Sequence, residues 1–309
     1  MRIVVHGQQA FGKAVLEALL KRGENVVAVY VAPTKPGAKA DPLLDAAMKA
    51  NLPVYQPASY KDPKVWEEFR ALKPDLQVMA FVTLFVPEDF LNIPTHGSIQ
   101  YHPSLLPAYR GASAINWPII KGEKETGLSI FWPDNGLDTG DILIQKKTPI
   151  SDTDTLGTVY FDRLFPMGVD AMLEGVDLVK AGKAPRIKQD ESKATYEGRC
   201  GPENAHIDWA KSWRQIDPLI RGCNPAPGAW STLDGKTLKI FDAKPLPAKD
   251  PKGIGGKMGE IVAVEADGFT VVCADGRIKV TRVQPADGKK IDAGEFAAAA
   301  KLAVGTRLT

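Results

Sequence analysis

The first hundred residues alternate short apolar segments with amphipathic ones, and this alternation limits the possible folds more than any other feature. Apolar, mostly β-branched segments that predict buried strands lie at residues 2–6, 25–31, 76–82 and 98–101, and a short strand starts at Val54. Amphipathic segments that predict helices lie between them, at residues 11–21, 41–50 and 63–72. Strands that alternate with helices predict an α/β fold, in which helices cover both faces of a parallel sheet.

The pattern changes towards the carboxyl terminus. Residues 183–203 are polar and predict a surface linker. Short strands follow at residues 238–241, 259–264, 268–273 and 277–283, separated by Asp-Gly turns that favour hairpins. We therefore expect a Rossmann-like domain at residues 1–182 and a small OB-like β-barrel domain at residues 204–309.

Composition and charge exclude few functions, but they indicate the kind of protein and its cellular compartment. The chain has 309 residues, 44% hydrophobic and 25% charged, which is typical of a soluble globular protein of two domains. The three cysteines are widely spaced and form no cluster with histidine, so we expect neither disulfides nor a metal site. No cleavable leader and no long apolar run is apparent, so we expect a cytoplasmic protein that does not contact a membrane.

A glycine-rich loop, GQQAFGKA at residues 7–14, follows the first predicted strand. It contains the GxxxxGK of a phosphate-binding loop, but Ala14 stands where a hydroxyl would bind magnesium. The dinucleotide pattern GxGxxG fails because Gln9 takes the place of the second glycine. We favour a tight turn between strand and helix over a nucleotide site.

One of the four histidines has reactive surroundings. His102 follows a predicted strand, at the edge of the sheet where α/β proteins bind ligands, and Pro103 and Pro107 stiffen the next turn. The acidic loop PDNGLDTGD at residues 133–141 supplies Asp138, which we interpret as its partner, because a carboxylate orients an imidazole and raises its basicity. The loop has the oxygen-rich composition of a cation site, but not the spacing of an EF-hand.

The other polar residues have structural interpretations beside functional ones. His6 lies within an apolar strand and is predicted to be a hydrogen-bonded core residue rather than a catalyst. No GxSxG motif is present, so a serine nucleophile is not favoured, and Ser104 either caps a turn or binds a ligand. Arg110 either binds an anionic group or forms a structural ion pair.

The segments HPSLLPAYRGASAINW, at residues 102–117, and GLDTGD, at residues 136–141, closely resemble the two signatures of the folate-dependent formyltransferase family. This resemblance extends over essentially the whole chain. It implies 10-formyltetrahydrofolate as the formyl donor, no metal, and a catalytic trio of Gln100, His102 and Asp138. The family has asparagine at the first position, where the amide donates a hydrogen bond to the formyl oxygen as it becomes an oxyanion. Gln100 keeps the amide on a longer side chain.

The resemblance also implies a folate site between two loops. Apolar walls and a few polar edges suit a flat heterocycle. The residues that would form them are Leu84, Phe85, Val86, Pro87, Ser104, Pro133, Asp134, Asn135, Gly136 and Leu137.

Two branches of the family imply different formyl acceptors. VAPTKPGAKADPL, at residues 31–43, and SIFWPDNGLDTGD, at residues 129–141, are most similar to the amino-terminal hydrolase domain of 10-formyltetrahydrofolate dehydrogenase, which implies water or a small amine with His102 as general acid and base. IDWAKSWRQIDPLIRGCNPAPGAW, at residues 207–230, is equally similar to methionyl-tRNA formyltransferase, whose acceptor is initiator tRNA. Residues 201–309 hold 16 Lys and Arg against 13 Asp and Glu, a weak footprint for nucleic acid. A third alternative is a folate-binding module with weak or no turnover.

Overall fold

Strands and helices alternate through the amino-terminal half, as the sequence pattern predicts. The structure is a computed structural model that describes residues 1–248 and 255–309. The elements of this half are β1 (Arg2–Gly7), α1 (Gln9–Lys21), β2 (Asn25–Val31), α2 (Pro42–Lys49), β3 (Val54–Tyr55), α3 (Pro63–Ala71), β4 (Leu76–Ala80), α4 (Glu88–Leu91), β5 (Ser98–His102), α5 (Asn116–Ile120), β6 (Glu125–Phe131) and β7 (Ile142–Pro149).

These strands form one seven-stranded sheet in the order β3-β2-β1-β4-β5-β6-β7. The first five strands pair in parallel, and β6 runs antiparallel to β5, so the predicted α/β fold is confirmed with an antiparallel addition. The chain crosses from one side of β1 to the other between β3 and β4. Ligands of such sheets bind outside the carboxyl ends of the strands near this crossing, and β5, the strand beyond β4, ends at the same edge of the sheet.

The glycine-rich loop forms a tight turn between β1 and α1, as the sequence predicts. A Cβ atom on Gly7 would overlap the carbonyl oxygen of Ala80 in β4, so only glycine lets the two strands approach this closely. The backbone N–H of Gln9, at the start of α1, donates to both carboxylate oxygens of Asp41 at 2.9 Å. The same carboxylate accepts from the backbone N–H of Leu43 at 2.8 Å and caps α2.

His6 is a core residue, as predicted. It is 3% exposed, and its Nδ1 lies 2.8 Å from Nε2 of Gln77, an amide that can only donate. The proton of the ring is therefore on Nε2, which lies 2.7 Å from the hydroxyl of Tyr60 and donates to it. Burial lowers the pKa of His6 to about 3, so the ring stays neutral at physiological pH.

The carboxyl-terminal half adds helices and a second sheet. Its elements are α6 (Leu156–Thr158), a π-helical turn (Val159–Leu164), α7 (Phe165–Lys180), two 3₁₀ turns (Glu191–Lys193 and Pro202–Asn204), α8 (Trp213–Gly222), β8 (Ala229–Leu233), β9 (Lys236–Pro247), β10 (Ile261–Glu265), β11 (Gly268–Cys273), β12 (Gly276–Pro285), β13 (Ile291–Asp292) and α9 (Ala293–Ala299). The second sheet is antiparallel with the order β10-β11-β12-β9-β8, and β13 pairs with β12, which confirms the predicted second β domain. Backbone hydrogen bonds of Gly305 to Ile261 in β10 and of Thr309 to Thr232 in β8 link the last residues to the strands at both edges.

The chain separates into two compact units whose sequence segments interleave. The first comprises residues 1–111, 127–148 and 161–196, and the second residues 112–126, 149–160 and 197–309. This division differs from the predicted boundaries at 182 and 203. Residues 112–126 group with the second unit because the side chain of Asn116 donates to the carbonyl of Gly222 in α8 at 2.9 Å and Ile120 packs against that glycine. Across the residues described, no helix is long and apolar enough to span a bilayer.

Candidate active site

The structure brings His102 and Asp138 together at the carboxyl edge of the first sheet. His102 is the last residue of β5, and Asp138 lies in the loop between β6 and β7. Both are buried, at 6% and 8% exposure, and Nδ1 of His102 lies 3.5 Å from Oδ2 of Asp138. This separation exceeds the roughly 2.7–3.2 Å of a formed hydrogen bond, so the two groups are close but not hydrogen-bonded.

The other nitrogen of the His102 ring is already engaged. Nε2 lies 2.9 Å from the backbone carbonyl oxygen of Tyr109, which can only accept, so Nε2 carries a proton. Nδ1, facing Asp138, is therefore the nitrogen that can exchange a proton. In the hydrolytic triads Nδ1 also faces the carboxylate, but there Nε2 faces the reacting groups, whereas Nε2 of His102 faces a backbone carbonyl. The carbonyl of Tyr109 and the carboxylate of Asp138 are both acceptors, so a ring with a proton on each nitrogen can donate a hydrogen bond to both.

The loop after β6 holds Asp138 in an unusual conformation. Its backbone φ is 56°, in the left-handed region, and its Oδ2 accepts from the backbone N–H of Gly111 at 2.9 Å. Oδ1 has no hydrogen bond from any residue that the structure describes. Earlier in the loop, Oδ1 of Asp134 accepts from the backbone of Gly136 at 3.0 Å and from the hydroxyl of Thr139 at 2.6 Å. The carboxylate of Asp134 therefore stabilises the loop, whereas Oδ1 of Asp138 is unbonded among the described residues.

Gln100 lies two residues before His102 on β5 and therefore points to the same face of the sheet. Its backbone pairs with Met79 in β4 and Phe131 in β6, and its side chain is half-buried. Within residues 1–248 and 255–309, its amide has no hydrogen-bond partner. Among the residues described, the amide is thus a free donor beside His102 and Asp138.

The two loops of the predicted folate site are joined to each other. The backbone N–H of Glu88, just after the loop 84–87, donates to the side-chain Oδ1 of Asn135 at 3.1 Å. Phe85 and Leu137 are 62% and 54% exposed and can contact a ligand, whereas Val86 is buried and supports its loop.

A third exposed apolar residue was not predicted from the sequence. Phe81 directly follows β4, is 47% exposed and has a φ of 66°, a conformation that is rare for an aromatic residue and concentrates at functional sites. Its position after a strand that ends at the carboxyl edge is the signal that could have identified it.

The side chains of Ser104 and Arg110 both form hydrogen bonds with neighbouring residues. Ser104 is fully buried, and its hydroxyl donates to the carbonyl of Ala108 at 2.7 Å within the turn that contains the cis peptide bond Leu106–Pro107. The guanidinium of Arg110 donates to both carboxylate oxygens of Glu191, at 3.0 and 2.6 Å. This pairing raises the pKa of Arg110 and lowers the pKa of Glu191.

Comparison with protein families matches both halves of the chain. The family described as formyl transferase matches residues 1–174, and the formyl transferase C-terminal domain matches residues 199–301.

Individual relatives match over nearly the whole chain. Cytosolic 10-formyltetrahydrofolate dehydrogenase of Xenopus laevis is 41% identical over 307 residues, which cover 96% of this chain but 34% of that relative. The chain therefore spans about a third of the length of this relative. Methionyl-tRNA formyltransferase of Geotalea uraniireducens is 38% identical over 313 residues, with 100% of this chain and 98% of that relative covered.

A solved structure shares the fold at lower identity. It is the N-formyltransferase from Helicobacter canadensis in complex with folinic acid and dTDP-3-aminofucose. The two chains superpose with a TM-score of 0.69 at 21% identity, and the match covers 94% of this chain and 99% of that chain.

Proposed function

The chain belongs to the formyl transferase family, and from this premise we propose that it moves the formyl group of 10-formyltetrahydrofolate to water or a small amine. Membership of the family makes it a formyl transfer enzyme. One observation carries the proposal furthest: the buried contact between His102 and Asp138, beside the free amide of Gln100, at the ligand-binding edge of the sheet.

The residues around this contact fit a reduced pterin. Phe81, Phe85 and Leu137 are exposed apolar side chains on the neighbouring loops and would cover the faces of a flat heterocycle. The backbone of residues 133–137 offers donors and acceptors to its polar edge. We leave Ser104 out of the proposed site, because its hydroxyl is buried and bonded within its own turn.

In the proposed reaction, His102 and Asp138 would donate one proton to the folate and accept one proton from the attacking group. Nδ1 of His102 gives a proton to the departing folate nitrogen as the bond between that nitrogen and the formyl carbon breaks. The attacking water or amine forms the new bond to that carbon, and its proton returns to the pair at the free Oδ1 of Asp138. Gln100 donates to the formyl oxygen while it carries negative charge.

The variants His102→Ala and Asp138→Ala test the roles of the pair. Each removes a group through which the proton passes, so we expect kcat for release of tetrahydrofolate to fall by at least about 10²-fold. Binding of tetrahydrofolate, measured by calorimetry, should change little because the exposed apolar residues remain.

Two variants serve as matched controls. His96→Ala removes an exposed histidine six positions away, and Asp62→Asn keeps the acceptor that caps α3 while removing a carboxylate. Both should retain wild-type kcat. Substantial turnover in both His102→Ala and Asp138→Ala would contradict the proposed mechanism.

A second function, formylation of initiator methionyl-tRNA, is favoured by one observation. The match to methionyl-tRNA formyltransferase covers 98% of that relative, including its carboxyl-terminal part. Incubation with 10-formyltetrahydrofolate and charged initiator tRNA distinguishes the two. Faster folate turnover with the tRNA, and tRNA binding that weakens as salt rises, would favour this alternative over water or a small amine.

A further inference from the structure

The segment from Ile187 to Tyr196, within the predicted linker, runs alongside the loop that contains Asp138 and the turn that contains Tyr109. We call residues 187–196 the strap. At its start, the backbone of Ile187 exchanges hydrogen bonds of 3.0 and 2.8 Å with Ile142 at the beginning of β7. At its end, Tyr196 forms a parallel bridge with Arg110. The strap therefore spans from the loop of Asp138 to the loop of Tyr109.

Gln189 fixes the turn that contains Asp138. Its side-chain Nε2 donates to the backbone carbonyl of Asp138 at 2.9 Å and to that of Gly140 at 2.7 Å. Its Oε1 accepts from the guanidinium of Arg110 at 2.7 Å. One side chain thus holds the carbonyl groups on both sides of Thr139 and is itself held by a buried cation.

Thr195 fixes the turn that contains Tyr109. Its hydroxyl accepts from the backbone N–H of Tyr109 at 2.8 Å. Its backbone accepts from Arg110 at 3.0 Å and donates to the carbonyl of Pro107 at 3.1 Å. The carbonyl of Tyr109 in turn accepts from Nε2 of His102. This carbonyl and the N–H of Arg110 belong to the same peptide unit, so Thr195 holds the group that contacts the imidazole.

Both turns need such support. Tyr109 and Asp138 have φ values of 57° and 56°, which non-glycine residues keep only where the surroundings fix them. We propose that the strap positions the catalytic pair, with Gln189 setting Asp138 and Thr195 setting His102. This inference rests on the proposed function, and Gln189 and Thr195 are positioning residues because neither contacts the reacting atoms.

Two variants remove these contacts with little change of shape. Gln189→Met deletes the hydrogen bonds to both carbonyls, and Thr195→Val deletes the hydroxyl that holds Tyr109. We expect each to lower kcat by about 10- to 100-fold, because small displacements of catalytic groups have effects of this size. KM for 10-formyltetrahydrofolate should stay within about twofold of wild type, since the apolar contacts to folate are untouched.

Two further variants separate positioning from general stability. Thr195→Ser restores the hydroxyl and should recover most of the kcat that Thr195→Val loses. Among the described residues, the hydroxyl of Ser192 bonds only to Asp190. Ser192→Ala therefore alters the strap without affecting the turns of Asp138 and Tyr109, and its kcat should be that of wild type. The pH profile of kcat should shift in Gln189→Met and remain unchanged in Ser192→Ala.

The set of variants has distinct outcomes. A fall in kcat at unchanged KM, with rescue by Thr195→Ser, supports the positioning role. If Gln189→Met and Thr195→Val keep wild-type kcat while His102→Ala is inactive, the strap proposal is overturned and the proposed function stands. If both lose kcat only in proportion to a loss of folded protein, as measured by thermal unfolding, the role is structural and the proposal is also overturned. If His102→Ala and Asp138→Ala are active, the proposed function itself fails.

Discussion

The side chain of Gln100 is one methylene longer than the asparagine of the family, and its amide is unbonded beside His102. An oxyanion-hole donor contributes about 2.7–4 kcal/mol to a transition state, provided that it reaches the oxygen. The free amide can reach forward from β5 because it is not tied to a neighbour. The longer side chain is therefore compatible with the family's chemistry if the formyl group lies further from the strand.

Replacement of Gln100 tests this role. Gln100→Leu removes the donor at nearly constant size, and we expect kcat to fall by about 10²- to 10³-fold with little change in KM. Gln100→Asn keeps a donor and should retain more activity than Gln100→Leu. Steady-state rates of tetrahydrofolate release provide the measurement, and equal activity of wild type and Gln100→Leu would remove this residue from the mechanism.

His6 gives a second prediction, which concerns stability rather than activity. Its pKa is about 3 in the folded protein, against an ordinary value of about 6.5 in the unfolded chain. Between these values the unfolded chain binds the extra proton, so stability falls as pH decreases from 6.5 towards 3. At pH 5 this single group removes about 2 kcal/mol of the free energy of unfolding.

His6→Gln isolates this contribution. The variant has no titrating group at position 6, so the unfolding free energy of wild type should fall by about 2 kcal/mol relative to that of the variant from pH 7 to pH 5. Urea unfolding at both pH values provides the test. His96→Gln, which replaces an exposed histidine, should follow wild type, and an identical pH dependence of wild type and His6→Gln would contradict the assignment.

At the scale of elements, the loop between β6 and β7 depends on a glycine. A Cβ atom on Gly140 would overlap the backbone carbonyl oxygen of Trp132, so the turn that presents Asp138 could not close. We expect Gly140→Ala to lower both the free energy of unfolding and kcat. Gly198→Ala, where a Cβ meets nothing within 4 Å, should change stability by less than about 0.5 kcal/mol. Wild-type kcat in Gly140→Ala would contradict this expectation, because it would show that the turn can move to accommodate the added Cβ atom.

The elements differ in how well the sequence predicts them. Periodicity predicts β1 to β5 and the helices α1 to α3, because their burial follows from local residue patterns. The strap is a different case. Most of its residues are polar, and their hydrogen bonds join backbone groups about 50 and 86 positions away, at Gly140 and Tyr109. A polar segment that makes such bonds has the composition of a solvent-exposed linker, so the pattern alone predicts a linker.

At the scale of the whole molecule, the two signatures predict the meeting of His102 and Asp138, but not which ring nitrogen faces the carboxylate. That depends on the carbonyl of Tyr109, which the sequence places only seven residues away along the chain. The interleaving of the two units likewise depends on contacts between residues that are distant in sequence. Short segments such as residues 112–126 join the second unit through contacts with α8, and no local pattern marks a contact of that sequence separation.

The fate of the formyl group tests the central claim most directly. 10-Formyltetrahydrofolate that carries a ¹³C label in the formyl group is incubated with the whole protein and with the double variant His102→Ala/Asp138→Ala, and the label is followed by NMR. The wild-type protein should move the label to formate or to an added amine and release tetrahydrofolate, while the double variant leaves it on the folate. A label that stays on the folate in both samples, or leaves it equally fast in both, would contradict the account.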